Sequence, residues 1–424
     1  MKRTRATMAA RDDDTGVVGV AEMYCGIGVM SLAMRWVRRV RARTVVAYDL
    51  NPNACDAYAR NHGTRPLAKN LAGVSMEALG KIGAEAWLMS PPCQPFTRQG
   101  KRLDVEDGRA DSFSRLVEET TKLSVEKRPR YVFVENVVGF ETSKMRELLI
   151  EKLREMEFHV QEFILTPTMF GVPYSRPRYF LCARTTRAFR DAVDDIRRAP
   201  PPCELSHKRH WIPKYDETMD ADVDVAPLSR FLDSENSDIW RENALRQGDI
   251  DRAKGCIDIV SSSDTTCNCF TKSYFKYVKG TGSVVANRLV DKSTWDGRTG
   301  EGEDDVRLRY FTVDEVMRLH SIPSDFEWPE ELSKRQRYTL LGNSMSVACV
   351  APLLEYLFDD DASLLVTAPS LRRRLVHLPS TSWTCPYSCR RPSFRSSCAW
   401  ETAVDYNAHG YAYSDHRRRS WWGT

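Results

Sequence analysis

Residues 17–29 read Val-Val-Gly-Val-Ala-Glu-Met-Tyr-Cys-Gly-Ile-Gly-Val. A short apolar run ends in two glycines, two residues apart, ahead of a helix-forming stretch. Strand, glycine loop and helix in that order open an α/β unit, and glycines at the turn let a ligand approach the backbone closely. The same residues would also make an ordinary tight turn, so the neighbouring segments have to decide. Residues 45–49 form a second strand-like run ending in Asp49, followed by a helical pattern over 51–61. A carboxylate at the end of the second strand is placed to accept hydrogen bonds from ribose hydroxyls, and a turn or helix-cap role is the competing reading. Ser31 stands where the third glycine of a G-x-G-x-x-G fingerprint would be. The pair therefore favours a nucleoside-containing cofactor without pyrophosphate.

Further strands are expected at 87–89, closed by Pro91 and Pro92, and at 131–135, 162–165 and 179–183. A helix is expected over 143–156, with Met145, Leu148, Leu149 and Leu153 at helical spacing. This alternation predicts a doubly wound, Rossmann-like α/β sheet over 17–184. From 185 to 305 the chain turns rich in Asp, Arg, Pro and Ser, which predicts a smaller irregular domain. Periodicity returns over 306–360, as a second part of the first domain. Thr312 is placed to cap a short helix at 313–320. A helix at 346–358 contains Pro352, which predicts a kink or a late start. Residues 1–16 are expected to be flexible, and 361–424, rich in Arg, Ser and Trp without a period, to be disordered.

Of 424 residues, 42% are hydrophobic and 28% charged, as in ordinary globular chains. No run of about 18 apolar residues is present, so no membrane partner is expected. The N-terminus lacks the apolar core of a secretory signal. Twelve cysteines are scattered without a framework. That pattern suits a reducing compartment, cytoplasm or nucleus or both. The net charge of +4 is unevenly held: residues 361–424 carry nine Arg against four acidic residues, which leaves the rest near −1. Nucleic-acid binding would then rely on local patches. Cys385, Cys389, Cys398, His409 and His416 have no compact zinc spacing, and no metal is expected.

Three more segments carry candidate chemistry. In Ser90-Pro91-Pro92-Cys93-Gln94-Pro95-Phe96, three prolines stiffen a loop just past a strand, at the sheet edge where ligands bind. A thiolate held there would be a positioned nucleophile, and a structural turn with a buried thiol is the alternative. Glu135 ends an apolar strand, and a carboxyl there must meet water or a partner. It could hold or donate a proton to a bound base, or simply face solvent. In Ser175-Arg176-Pro177-Arg178-Tyr179, an extended chain puts both guanidiniums on one face. Such a pair suits a phosphate or a base carbonyl, and solvated surface arginines are the alternative.

In their order and type these motifs resemble the C5-cytosine methyltransferase family. The resemblance rests on residues 24–29, Asp49, 90–96, Glu135-Asn136-Val137, 175–178 and Leu341-Gly342-Asn343-Ser344-Met345-Ser346, and spans about residues 17–358. Within it, Pro95-Phe96-Thr97-Arg98-Gln99-Gly100, Glu135-Asn136-Val137-Val138-Gly139-Phe140-Glu141 and Cys269-Phe270-Thr271-Lys272 are similar to one eukaryotic subfamily. Its members, once classed as DNA methyltransferases, methylate cytosine 38 in the tRNA anticodon loop.

The resemblance implies S-adenosyl-L-methionine as cofactor and tRNA as substrate, tRNA-Asp first among candidates, with DNA as the alternative. A monomer is favoured. It assigns Cys93 as nucleophile at cytosine carbon 6, Glu135 as partner of the base N3 and amine, and Arg178 with Arg176 as holders of the base or of that carboxylate. The implied cofactor site is Tyr24, Gly26, Ile27, Gly28 and Val29, with Asp49 on ribose, Leu71 and Ala72 beside adenine, and Ser90, Asn343 and Ser344 closing the pocket. Loop 97–113, with Arg98, Lys101, Arg102 and Arg109, would close over the flipped base, and Cys269, Thr271 and Lys272 would touch substrate. Val29 stands where the family often has glycine, which implies a tighter loop, and Pro352 interrupts a helix the family keeps whole. A third reading, an inactive nucleic-acid-binding relative, is opposed by the intact Cys93, Glu135 and Arg178.

Overall fold

The computed structural model describes residues 16–92, 111–213, 215, 224–234, 237–253, 255–291, 293–300, 302 and 305–359. The proline-framed Cys93 loop, the closing loop with Arg98, Lys101, Arg102 and Arg109, and both expected flexible ends lie outside them, Gly16 excepted.

The chain opens with β1 (Val17–Met23), α1 (Val29–Met34), β2 (Arg41–Tyr48), α2 (Pro52–His62), α3 (Met76–Ile82) and β3 (Ala86–Met89). α4 (Asp111–Thr120), β4 (Tyr131–Val137), α5 (Lys144–Glu155), β5 (His159–Leu165) and β6 (Arg178–Arg184) complete the main layer. The six strands lie in the order β2-β1-β3-β4-β6-β5. The first four run parallel, and β6 is antiparallel to both β4 and β5. β3 and β4 are buried on both faces through most of their length, as central parallel strands require.

β2 begins four residues before the sequence pattern suggests. Arg41, Arg43 and Val45 are exposed on an edge strand, so its first half reads as polar although the ladder with β1 starts at Arg41. α4 corrects the expected loop at 97–113: Asp111, Ser112 and Phe113 are its first residues, with Phe113 buried. Asn51, Ser143 and Thr312 cap their helices through side-chain oxygens, which fixes where each begins.

Beyond β6 come α6 (Ser237–Asn243), α7 (Gln247–Ala253), β7 (Asp258–Val260), β8 (Ser283–Ala286), β9 (Leu308–Tyr310), α8 (Val313–Leu319), α9 (Lys334–Gly342) and α10 (Val347–Leu357). β7, β8 and β9 form a second, three-stranded sheet. α10 is buried along its whole length and starts at Val347, so Pro352 lies inside it and does not delay it. The described residues fall in one compact unit. One apolar cluster runs from Val18 and Val20 of β1 through α10 to Val284 of β8; a second, on the other face, holds Ala21, Met23 and Trp87. Among the described residues no single helix is long and apolar enough to cross a membrane, and all eight cysteines are free.

Candidate functional site

β1 pairs with β2 on one side and β3 on the other, so the chain reverses its direction of travel across the sheet at β1. The crevice at the carboxyl ends of such strands is where open α/β sheets bind ligands. The segments predicted from sequence converge there. Tyr24–Val29 follows β1, Asp49 follows β2, Ser90 follows β3, and Glu135 lies two residues before the end of β4.

The loop after β1 is held by these neighbours. The Gly26 N–H donates to Asp49 Oδ2 at 2.7 Å, and the Asn51 N–H to Oδ1 at 2.8 Å. Ser90 Oγ donates to the Tyr24 carbonyl at 2.8 Å. Tyr24 has φ 58, and its hydroxyl meets Ser112 Oγ of α4 at 2.9 Å. Gly26 (φ 54) has open space where a side chain would be. At Gly28 (φ 84) a Cβ would run into the His62 imidazole and the Tyr58 ring. The first glycine thus leaves room for a ligand, and the second lets α2 press against the loop. Ile27 and Val29 turn their side chains into the core, so only their backbone faces the crevice.

Glu22, the one acid within the apolar run of β1, lies fully buried beneath this loop. Its Oε2 accepts from Ser31 Oγ and from Tyr58 Oη, the latter at 3.0 Å. Its Oε1 has no partner among the described residues. Burial lifts its pKa to about 7 against the pull of Ser31 and Tyr58. An acid inside an apolar strand run was the signal available in the sequence.

Leu71 is buried and Ala72 half-buried; Arg115 of α4 binds the Ala72 carbonyl and that of Val74. Asn343 is exposed at the end of α9, while Ser344 is buried with Oγ donating to the Leu340 carbonyl at 2.8 Å.

The two arginines separate. Arg178 opens β6 beside the end of β4, with Nε 3.4 Å from Glu135 Oε1. Burial raises the Glu135 pKa, and Arg178 and Arg176 only partly oppose it. Arg176, before the strand, is 3% exposed. Its guanidinium donates to Cys269 Sγ at 2.9 Å, the Phe270 carbonyl at 3.2 Å, the Gly342 carbonyl at 3.0 Å and the Ser344 carbonyl. It therefore binds the segment around Cys269 to the segment around Asn343. Gly342 is needed at that junction, because a Cβ there would run into the backbone of Thr271 and Lys272.

Burial works to raise the Cys269 thiol, but Arg176 and Arg178 outweigh it and hold it below its ordinary value. Thr271 is tied to Thr281 through its N–H at 2.8 Å, and Lys272 is exposed. Asn136 Nδ2 reaches the Pro91 carbonyl at 3.5 Å, so the root of the Cys93 loop sits against the strand end that carries Glu135. No group of three His, Cys, Asp or Glu able to hold a metal occurs among the described residues.

Residues 18–359 match the profile of the C-5 cytosine-specific DNA methylase family. A human protein named tRNA (cytosine(38)-C(5))-methyltransferase is 32% identical, over 80% of this chain and 99% of its own. A Dictyostelium discoideum protein named DNA (cytosine-5)-methyltransferase is also 32% identical, over 80% and 93%. The crystal structure of the Schizosaccharomyces pombe Dnmt2 methyltransferase superposes with a TM-score of 0.67 at 28% identity, covering 80% of this chain and 98% of that one.

Proposed function

The chain belongs to the C-5 cytosine-specific DNA methylase family, and we propose that it methylates carbon 5 of cytosine 38 in the anticodon loop of a tRNA, tRNA-Asp first among them. The observation that carries the chemistry is Glu135, a carboxyl whose proton affinity is raised by burial, held by Arg178 at the end of β4. Asn136 ties the root of the Cys93 loop to that same strand end. The choice of tRNA is supported by the names of the human and S. pombe relatives, 32% and 30% identical.

The crevice fits S-adenosyl-L-methionine. Gly26 leaves open space, and Asp49 offers a carboxylate at the end of β2. The residues that would hold the cofactor are Tyr24 and the 26–29 backbone, with Asp49 on ribose, Leu71 and Ala72 beside adenine, and Ser90, Asn343 and Ser344 as the closing side. When bound, the cofactor supplies an electrophilic methyl group.

The remaining work falls to the chain. Cytosine carbon 5 is a weak nucleophile in an aromatic ring. Addition of the Cys93 thiolate to carbon 6 breaks the aromaticity and places electron density on carbon 5. Glu135 holds a proton at the base N3 and so favours the addition. Arg178 orients Glu135, and Arg176 holds the backbone on which Cys269 and Ser344 sit. Once carbon 5 carries the methyl group, its proton passes to a base, the carbon 6–sulfur bond breaks, Cys93 leaves as thiolate and the aromatic ring is restored. The target base must leave its stack to reach this crevice, which costs less in an anticodon loop than in a duplex.

Methyl transfer from labelled cofactor to total tRNA and to duplex DNA, with bisulfite mapping, tests the proposal. One or a few tRNAs should be labelled at a single anticodon-loop cytosine. Cys93→Ala should abolish transfer and keep cofactor affinity; turnover by the pure variant would remove Cys93 from the mechanism. The Dictyostelium relative keeps DNA as a second reading, and equal or faster labelling of duplex DNA would put it first.

A further inference from the structure

A cavity of about 480 Å³ lies away from the crevice, between the end of α1, the turn at 210–213 and the segment from α8 to Phe326. α1 leads from Gly28 at the crevice to Trp36 at this cavity, so about 9 Å of helix separates the two. Its walls carry Trp36, Trp211, Ile212 and Phe326. The rings of Trp36 and Trp211 meet at 5.2 Å between centroids, tilted by 56°. Two polar atoms on different walls, His210 Nε2 and Ser321 Oγ, are buried with no hydrogen-bond partner among the described residues. Buried polar atoms are nearly always paired, and such orphans in a cavity point to a missing partner. Ser321 is held with φ 54, a conformation that non-glycine residues rarely adopt.

The rim is basic. Arg209 is exposed and forms no ion pair among the described residues; Arg38 is more than half exposed and shares Glu204 at 3.1 Å. Both lie near enough to act on the charge of His210.

Aromatic walls of this size suit one planar ring. A donor–acceptor pair at the wall suits a ring with a polar edge, and cations beside His210 suit an attached phosphate. We infer that this cavity is a second nucleotide-binding site. It takes a nucleobase against Trp36 and Trp211, bonds the base edge through His210 and Ser321, and holds the phosphate at Arg209 and Arg38. The nucleotide could be free or an unstacked residue of a bound RNA. The RNA form rests on the tRNA reading above; the free form does not.

The test uses the full chain with its cofactor crevice saturated by S-adenosylhomocysteine, so that adenosine-like binding there is blocked. AMP, GMP, CMP and UMP are titrated by saturation-transfer NMR. At least one should bind, and His210→Ala and Arg209→Glu should each weaken it by about ten-fold. Arg209 is exposed, so its variant reports even if His210→Ala fails to fold. In parallel, Arg209→Glu should raise the KM for tRNA about three-fold at unchanged kcat if the RNA supplies the nucleotide. Mononucleotide binding that Arg209→Glu weakens, with tRNA kinetics unchanged, supports a free nucleotide. A changed tRNA KM without mononucleotide binding supports an RNA residue. Mononucleotide binding that Arg209→Glu leaves intact places the ligand elsewhere and overturns the inference. So does the absence of both binding and any change in KM. Failure of all tRNA methylation would sink the tRNA reading while leaving the mononucleotide titration to decide this one.

Discussion

Single residues at the crevice make separable claims. Asp49 accepts from Gly26 and Asn51 through its two oxygens, so it shapes the cofactor loop as well as facing it. Asp49→Ala should weaken S-adenosyl-L-methionine binding by roughly 1–3 kcal/mol, the scale of a lost charged hydrogen bond. Calorimetry showing unchanged affinity would remove Asp49 from the cofactor site. Glu22 makes a pH-dependent claim. Its carboxyl has an ordinary value of 4.5 and titrates near 7 in the fold. Below 4.5 both the folded and unfolded forms are neutral, and its contribution to stability is whole. Between 4.5 and about 7 only the unfolded chain releases the proton freely, so folding weakens as pH rises. Above 7 the loss is complete, on the order of 3 kcal/mol for a shift of this size. Glu22→Gln removes the titration, so denaturant melts should show the variant gaining on the native chain between pH 5 and pH 8. A constant difference across that range would show that Glu22 does not titrate there. Sequence could name Glu135 and Arg178 because strand ends expose their chemistry. It could not separate Arg176 from Arg178, since that difference comes from chain segments more than ninety residues away that close around one guanidinium.

Elements carry the same lesson in their lengths. β1 was legible to the residue because a run buried on both faces is apolar throughout most of its length. β2 was legible only in its second half, since an edge strand with an exposed face alternates in arginine. The three-stranded sheet was missed altogether: strands of three and four residues, far apart in sequence, are too short to show a period. The glycine loop was found as a ligand turn, but the reason for its second glycine lies in α2. A Cβ at position 28 would meet the Tyr58 ring at 2.8 Å, as well as His62, at a φ that L-residues resist. Gly28→Ala should therefore cost about 2 kcal/mol or more in stability and loosen the cofactor loop. Gly26→Ala, with open space at its Cβ, carries the backbone strain alone and should cost less. Thermal melts of the two variants decide this, and equal losses would mean that α2 does not press on the loop.

At the scale of the whole molecule, the chain ahead of residue 361 cannot draw RNA by bulk charge. The tail from 361 holds an excess of five positive charges, and the rest of the chain is near −1. Binding must come from patches placed where substrate arrives. One lies beside the Cys269 segment: Lys272, Lys276 and Lys279 are all exposed within eight residues. Their backbone is fixed on both sides, since Thr271 pairs with Thr281 and the Lys272 carbonyl accepts from Thr339 of α9 at 3.3 Å. The patch is thus held rigidly to the junction that Arg176 makes between the Cys269 segment and the crevice. Three lysines so placed would neutralise up to three phosphates of an anticodon stem, and each phosphate contact adds close to one unit to the slope of log affinity against log salt. Changing all three to Ala should weaken tRNA binding, reduce that slope by about two to three, and leave S-adenosyl-L-methionine affinity unchanged, because none of the three side chains belongs to the crevice. Filter binding across a salt series measures the slope, and calorimetry the cofactor. An unaltered slope would mean that the tRNA stem lies elsewhere on the molecule. A loss of cofactor affinity would mean that the lysines act through the packing of Gly342 against Thr271 and Lys272 rather than on phosphate.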